Sequence, residues 1–254
     1  MKLVVLGDPV AHSRSPAIHT AALEACGIEG TYTARQVDDA GMVSAVDEVR
    51  YGRLSGANVT MPHKQLAFEL ADRVTEVALR SGAVNTLVRR DGEVWGYNTD
   101  VEGIRAVWEL VPLPMGRHVL VLGSGGAAAG VVVAVADQSI VVSGRREQAA
   151  TDLLERTRTE GSIVPWGTPV DGAVVVNATP IGMRGDSLPA EVLKVASGFF
   201  DLAYGPMETP SVRYARDRRI PVADGKDLLV AQAAASFEIW TGIPAPVDAM
   251  RRAF

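Results

Sequence analysis

The residues best suited to chemistry lie in a glycine-rich segment that follows a short β-branched and leucine run at 118–122. An Ala/Val-rich helical pattern comes directly after it, and a strand, glycines and a helix in this order are typical of a dinucleotide-binding loop. The tight turn is expected at Gly123, close approach of a pyrophosphate at Gly125, and free N–H groups facing the phosphates from about Gly126. An ordinary glycine-rich turn is the alternative. The candidate cofactor residues of this loop are Gly123, Ser124, Gly125, Gly126 and Ala127.

Two arginines after the next predicted strand indicate which dinucleotide would bind. NAD enzymes place an acidic residue roughly 20 residues after the glycines, where it binds the ribose 2′-hydroxyl. Here Gly144, Arg145 and Arg146 occupy that place, and no acid comes before Glu147. Guanidinium groups are suited to binding a phosphate, so the sequence predicts NADP. A solvated arginine pair is the alternative.

A lysine and an aspartate near two predicted helix starts could transfer protons. Pro62 is predicted to begin a helix, which places Lys64 in its first turn, where the helix dipole disfavours a cation. Such an ammonium is suited to giving its proton to a reacting oxygen. Asp100 follows a predicted strand and stands at the start of the next helix. Simple solvation is the alternative for Lys64, and helix capping is the alternative for Asp100.

Two hydroxyls before the first helix could bind a small carboxylate. Ser13 and Ser15 precede Pro16, which is well placed at the first helical position. The N-terminus of a helix favours an anion, and Ser15 is also the predicted N-cap. A further segment supplies the carboxamide of Asn85.

Apolar runs alternate with helical patterns through most of the chain, which predicts an α/β architecture with mainly parallel strands. A turn cluster at 112–116 separates two sets of strands, so we expect an N-terminal domain to about residue 100 and a second α/β domain to about 224. The predicted strands are 2–6, 31–37, 56–59, 86–89, 93–97, 118–122, 139–143, 172–177, 198–202 and 221–223. The predicted helices are 16–25, 42–50, 63–74, 101–111, 127–136, 148–160, 211–217 and 228–241.

Composition excludes several classes of protein. A hydrophobic share of 47% and a charged share of 22% are typical of a folded globular chain, and a net charge of −5 argues against nucleic acid or an anionic membrane as partner. The apolar stretch at 119–136 is divided by glycines, which favours a buried strand and helix over a membrane span. The single cysteine, Cys26, is consistent with a reducing cytoplasm. The four histidines lack metal-site spacing, so no metal is expected.

Several of these segments, taken in order, resemble the shikimate dehydrogenase family. The matching segments cover nearly the whole chain and are modest individually but specific as a series. They are HSRSP (12–16), NVTMPHK (58–64), GAVNT (82–86), NTD (98–100), the glycine loop at 123–130, NATPIGM (177–183), DLAY (201–204) and DGKDLLVAQ (224–232).

The resemblance implies reversible, NADPH-dependent reduction of 3-dehydroshikimate to shikimate, a step in the synthesis of chorismate and the aromatic amino acids. It implies an acid–base pair of Lys64 and Asp100. The implied substrate residues are Ser13, Ser15 and Tyr204 at the carboxylate, and Thr60, Asn85, Asp100 and Gln232 at the ring hydroxyls. Leu202 and Gly225 would lie along the nicotinamide. Residues 1–100 and 225–254 would form the substrate domain and 101–224 a Rossmann-like NADP-binding domain, with a cleft between them.

The sequence departs from the family pattern at the 2′-phosphate loop, where Gly144 and Ala149 replace an asparagine and a second arginine. Leu228 replaces a methionine common near the nicotinamide. Alternative functions are a relative that oxidises quinate or an aminoshikimate, with NAD as a further option for its cofactor, and a regulatory binding module without catalysis. The expected partner is a small-molecule substrate, and the expected state is a cytoplasmic monomer or homodimer.

Overall fold

The computed structural model describes residues 1–114, 116–205 and 207–254. The chain divides into two compact units, one formed by Met1–Gly103 with Leu229–Phe254 and the other by Ile104–Leu228. Each unit contains a six-stranded sheet. The strands are β1 Lys2–Gly7, β2 Thr31–Gln36, β3 Gly56–Val59, β4 Arg73–Val74, β5 Thr86–Arg90, β6 Glu93–Tyr97, β7 His118–Leu122, β8 Ser139–Gly144, β9 Gly161–Pro165, β10 Val174–Asn177, β11 Gly198–Asp201 and β12 Val222–Ala223.

The helices that connect these strands match the sequence pattern in most places. They are α1 Ser15–Ala25, α2 Asp39–Arg50, α3 Lys64–Leu70, α4 Glu76–Ser81, α5 Thr99–Leu110, α6 Gly126–Ala134, α7 Glu147–Thr157, α8 Ala190–Lys194, α9 Pro210–Asp217, α10 Gly225–Thr241 and α11 Val247–Arg252. Among the described residues, no helix has both the length and the apolar character that a bilayer crossing needs.

The sheet of the first unit has the strand order β2-β1-β3-β5-β6-β4 and is mixed. Strand β1 runs parallel to β2 and β3, whereas β5 runs antiparallel to both of its neighbours, β3 and β6. Asp91 and Gly92 join β5 to β6 with φ values of 52° and 86°, as a tight hairpin of two positive-φ residues requires. The expectation of mainly parallel strands is therefore incomplete for this unit, because the hairpin reverses one central strand.

The sheet of the second unit has the order β12-β11-β10-β7-β8-β9 and is parallel throughout. From β7 the chain moves outward to β8 and β9, and it then returns to β10 and moves outward the other way. The direction of winding therefore reverses between β7 and β10. Ligands of such sheets bind at this switch point, beyond the carboxyl ends of the strands.

The predicted helix at 63–74 is corrected by the structure. Helix α3 begins at Lys64 and not at Pro62, because a turn from Thr60 to His63 closes first, with the His63 N–H donating to the Thr60 carbonyl at 3.0 Å. The helix ends at Leu70, and Arg73–Val74 instead pair with β6 as strand β4. Long-range pairing with β6 thus overrides the helical pattern.

Some short elements were not predicted from the sequence. Helix α4 has only six residues, although its start and end are marked by Thr75, whose side chain accepts from Ala78 N–H, and by Gly82 in the left-handed conformation. These capping residues could have revealed it. Strand β9 contains Pro165, which is tolerated because β9 lies at the edge of its sheet. Helices α8 and α11 are also short and were missed.

Candidate active site

The first unit brings its candidate residues to one edge of its sheet. Ser13 and Ser15 follow the end of β1, and Thr60 and Lys64 follow the end of the parallel neighbour β3. Asp100 follows the end of β6. Asn85 precedes β5, but because β5 is antiparallel, its beginning lies at the same edge as the ends of β1, β3 and β6. One reversed strand thus places the carboxamide beside groups that come from strand ends.

Lys64 and Asp100 form an ion pair at this edge. Lys64 Nζ donates to Asp100 Oδ2 at 2.6 Å, and the two side chains are 28% and 23% exposed. Lys64 is the first residue of α3, and its backbone carbonyl accepts from Val84 N–H at 2.9 Å. A proton donor and its counter-charge are therefore held together while both remain accessible to a small molecule.

The orientation of the Asn85 side-chain amide is fixed by the backbone. Thr99 N–H, which can only donate, lies 2.8 Å from Asn85 Oδ1, so Nδ2 faces the other way and donates to Asp100 Oδ1 at 2.9 Å. Each oxygen of Asp100 thus accepts one hydrogen bond, from Asn85 and from Lys64. Asn85 Nδ2 also lies 3.5 Å from Gln232 Oε1, which brings α10 to the same cluster.

Behind these residues lies a buried polar network that the sequence analysis missed. Asn58 Nδ2 lies within 3.1 Å of the Asn85 carbonyl and the hydroxyls of Thr86 and Ser236. Thr99 Oγ1 also contacts Asn85 Oδ1 at 3.1 Å. Asn58 and Thr86 lie in the buried parts of β3 and β5, and Thr99 is the first residue of α5. Their polar character at these places was the available signal. Ser236 had no such signal.

The helix after the serines is not capped as expected. Helix α1 begins at Ser15, its N-cap is Arg14, and no side chain caps it. Ser13 Oγ instead accepts from Ser15 N–H at 3.3 Å. The prediction that Ser15 is the N-cap is therefore wrong, because the residue before it already has helical backbone angles.

Ser15 is buried beside the ring of Tyr32, and these two groups connect the serines to the interior. The Tyr32 hydroxyl donates to Asn58 Oδ1 at 2.6 Å, and burial raises the pKa of Tyr32, while a hydrogen bond with Ser15 acts in the opposite direction. The ring of His19 stacks on Tyr32 with 4.4 Å between centroids. Burial lowers the pKa of His19 to about 3.

The second unit places the glycine loop at the switch point of its sheet. Gly123 follows β7 with a φ of 114°, and a Cβ there would lie 3.1 Å from the Ala178 carbonyl oxygen in the turn after β10. Helix α6 begins at Gly126, has Gly125 as its N-cap, and carries no side-chain cap. Nothing lies within 4 Å of a Cβ built on Gly125 or Gly126. Open backbone N–H groups and free space fit a phosphate group here.

The arginine pair lies at the end of β8, close to the glycine loop. A Cβ on Gly144 would be 3.6 Å from Ser124 Oγ, an ordinary contact distance. Arg145 and Arg146 are exposed, and across residues 1–114, 116–205 and 207–254 neither guanidinium has a hydrogen-bond or ion-pair partner. Such free cations fit a 2′-phosphate.

The remaining candidates of the second unit follow β11 and β12. Leu202 and Tyr204 lie in the loop after β11, and Gly225 is the first residue of α10. A Cβ on Gly225 would lie 2.7 Å from the Ala203 carbonyl oxygen and 2.9 Å from that of Leu202. Glycine is therefore required there by the backbone. Tyr204 belongs to the second unit, whereas the other candidate substrate residues belong to the first.

A parallel sheet with a glycine turn at its switch point, together with a lysine–aspartate pair in a separate unit, is typical of a nucleotide-dependent oxidoreductase. Comparisons with known proteins narrow this class. Residues 5–87 match the model of the shikimate dehydrogenase substrate-binding domain, and residues 227–253 match that of the shikimate 5′-dehydrogenase C-terminal domain.

Curated relatives match over nearly the full length. The shikimate dehydrogenase (NADP(+)) of Archaeoglobus fulgidus is 39% identical over 99% of this chain and 96% of its own, and that of Thermus thermophilus is 37% identical over 100% and 98%. The crystal structure of shikimate 5-dehydrogenase from a second strain of Thermus thermophilus, in complex with NADP(H) and shikimate, has a TM-score of 0.91, with 34% identity over 100% of this chain and 98% of that one. The chain belongs to the shikimate dehydrogenase family.

Proposed function

We propose that the protein is an NADP-dependent shikimate dehydrogenase that interconverts 3-dehydroshikimate and shikimate. The observation that carries this proposal is the Lys64–Asp100–Asn85 chain of hydrogen bonds at the sheet edge that also bears the serine pair. The curated relatives named as shikimate dehydrogenase (NADP(+)) and the solved complex with NADP(H) and shikimate support the choice of cofactor and substrate.

Bound NADPH supplies the hydride of the reduction. Lys64 gives its proton to the oxygen at the reacting carbon, and the positive charge of its ammonium stabilises the negative charge that develops there. Asp100 orients Lys64 through the 2.6 Å contact and accepts from Asn85 on its other oxygen. In the oxidation direction Lys64 receives the proton again.

The substrate is held by its carboxylate and by its ring hydroxyls. Ser13 and Ser15 donate hydrogen bonds to its carboxylate, with Tyr204 contributing nearby. Thr60, Asn85, Asp100 and Gln232 bond the ring hydroxyls. In this proposal the substrate domain comprises 1–100 and 225–254, and the dinucleotide domain comprises 101–224.

The cofactor residues fall into three groups. The backbone from Gly123 to Ala127 binds the pyrophosphate, with Ser124 beside it, and the arginines that follow Gly144 bind the 2′-phosphate. Leu202 and Gly225 lie along the nicotinamide. The single cysteine is consistent with action in the reducing cytoplasm. The proposed state is a monomer or homodimer.

A turnover assay with shikimate and with quinate, each in the presence of NADP⁺ and of NAD⁺, tests the proposal. We expect the highest kcat/KM for shikimate with NADP⁺. Higher kcat/KM with quinate or an aminoshikimate would identify a specialised relative, and ligand binding without turnover would identify a regulatory module.

A further inference from the structure

The second unit contains a fully buried carboxylate that the proposed reaction does not use. Asp201 is the last residue of β11 and is 0% exposed. Its Oδ1 accepts from Asn177 Nδ2 at 2.8 Å and from Ala203 N–H at 3.1 Å, and its Oδ2 accepts from Thr209 Oγ1 at 2.6 Å. No lysine or arginine among the described residues forms an ion pair with it. Burying a carboxylate without a cation costs folding free energy, so we expect Asp201 to have a role that explains its burial.

Each hydrogen-bond partner of this carboxylate is a donor. Ala203 N–H can only donate. The Asn177 amide is oriented by Thr179 N–H, which donates to Oδ1 at 3.1 Å, and by the Ile181 carbonyl, which accepts from Nδ2 at 2.9 Å. Thr209 Oγ1 accepts from Val212 N–H at 3.2 Å, which leaves its proton for Asp201. The surroundings are therefore built to hold an anion in one orientation, although burial raises the pKa of Asp201.

These bonds join three segments at the carboxyl edge of the sheet. Asn177 is the last residue of β10, directly before the turn that follows it, Ala203 belongs to the loop after β11, and Thr209 caps α9. The first of these segments contacts the glycine turn, because Ala178 and Thr179 lie within 3.1 Å of a Cβ on Gly123. The second contacts Gly225 through the carbonyls of residues 202 and 203. A continuous series of contacts thus runs from the glycine turn through Asp201 to Gly225.

We propose that Asp201 is a positioning residue for NADP(H): it holds the loop after β11 in register with the glycine turn, so that the pyrophosphate and nicotinamide ends of the cofactor site keep a fixed spacing. This inference rests on the proposed function, since it concerns the same cofactor. Reaction rates depend steeply on such spacing, because a displacement of about 1 Å between reacting groups can cost roughly 10²-fold in rate.

The test removes the donor to Oδ2 and keeps the carboxylate. Thr209→Val deletes the hydroxyl, whereas Thr209→Ser retains it. Since Thr209 also caps α9, Thr75→Val is the matched control: Thr75 caps α4 of the other unit in the same way, accepting from Ala78 N–H at 3.3 Å. For each variant we would measure the Kd for NADPH by its fluorescence without substrate, the thermal midpoint, kcat and the KM for shikimate.

We expect Thr209→Val to raise the Kd for NADPH about 10-fold, the worth of one lost hydrogen bond. We also expect it to lower kcat by about 10- to 100-fold through misplacement. The KM for shikimate should change less than kcat, because Tyr204 is the one proposed substrate residue in the loop after β11. Thr209→Ser should restore the Kd and kcat. Thr75→Val should lower only the thermal midpoint. The inference is overturned if Thr209→Val behaves like Thr75→Val, with a lower thermal midpoint and unchanged Kd and kcat.

A second variant covers the case in which Thr209→Val does not fold. Asp201→Asn keeps the size of the side chain but removes its charge and turns one acceptor into a donor, so it should change Kd and kcat in the same direction by at least as large a factor. Unchanged values in a folded Asp201→Asn protein would refute the inference. Failure of the proposed function is visible separately, because the parent protein would then bind no NADPH or turn over no shikimate, and the inference would fall with it.

Discussion

The two units present their candidate sites in opposite ways. In the first unit the site consists of side chains that already bond one another, with Lys64, Asp100 and Asn85 in a single chain of contacts. In the second unit the site consists of open backbone N–H groups at α6 and of two exposed arginines without partners in the described chain. A site that moves a proton needs side chains whose orientation is set before the substrate arrives, whereas a phosphate can be bound by a dipole and free cations.

The largest effect should follow from removing the proton donor of the first unit. Lys64→Ala should lower kcat by about 10²- to 10⁴-fold, the usual contribution of a positioned general acid. The KM for shikimate should change much less, because the proton moves mainly in the transition state. Steady-state kinetics measure both. Lys194→Ala, at an exposed lysine paired with Glu191, is the control and should keep full activity. If the Lys64→Ala enzyme keeps more than half of the parent turnover, Lys64 is a solvated surface lysine and not the proton donor.

The serine pair tests whether the first unit also holds the groups that bind the substrate carboxylate in place before the substrate arrives. Ser13→Ala and Ser15→Ala should each raise the KM for shikimate by roughly 10- to 150-fold, the equivalent of one charge-assisted hydrogen bond. Ser13→Ala should also lower the free energy of unfolding, by about 1 kcal/mol, because Ser13 accepts a free N–H of α1. Ser15→Ala should lower it as well, because the buried Ser15 loses its hydrogen bond with Tyr32. Kinetics and urea titration separate the two effects. Ser44→Ala, at an exposed serine of α2, should leave KM unchanged. Unaltered KM values for both serine variants would mean that Ser13 and Ser15 do not bind the substrate carboxylate.

Acid should lower the stability of the first unit through His19. The candidate site described in the second unit includes no such buried histidine. The pKa of His19 is lowered from 6.5 to about 3 by burial, so between these values the unfolded chain binds a proton that the folded chain does not. Stability is therefore lost as pH falls below 6.5, by about 2 kcal/mol between about pH 8 and pH 5. Urea titrations across this range measure the loss. His19→Phe keeps a ring against Tyr32 and should flatten the dependence, whereas His118→Asn, at an exposed histidine, should not. An equal slope in His19→Phe would exclude His19 as its source.

The smallest effect should come from the exposed arginines of the second unit. Replacing Arg145 and Arg146 with Ala should lower kcat/KM with NADP⁺ while leaving that with NAD⁺ nearly unchanged, since only NADP carries a 2′-phosphate. One charge-assisted contact is worth roughly 10- to 150-fold, and solvent exposure places the loss in the lower half of that range. Added salt should reduce it. The ratio of the two kcat/KM values is the measurement, and Arg156→Ala, on the exposed face of α7, is the control. An unchanged ratio would mean that these arginines do not read the 2′-phosphate.

The sequence by itself determined the features that depend on near neighbours. The strand, glycine turn and helix at 118–134 follow from a β-branched run, a residue that tolerates a φ of 114°, and small helix-forming residues. The nearby sequence also predicts that Lys64 lies in the first turn of a helix. It likewise predicts the order of most strands along the chain. These features could be predicted because their physical causes lie within a few residues.

Only the tertiary structure decided which distant residues meet. The hairpin that reverses β5 puts Asn85 beside Asp100, and α10 brings Ser236 to Asn58, 178 residues earlier in the chain. The end of the predicted helix at 63–74 instead forms strand β4, because it pairs with β6, and this pairing is not visible in the local sequence pattern. Asp201 is likewise an ordinary strand residue in the sequence, and only its three buried donors reveal that it holds loops together. Side-chain type and spacing are local, whereas burial and hydrogen-bond partners depend on how the sheets order their strands.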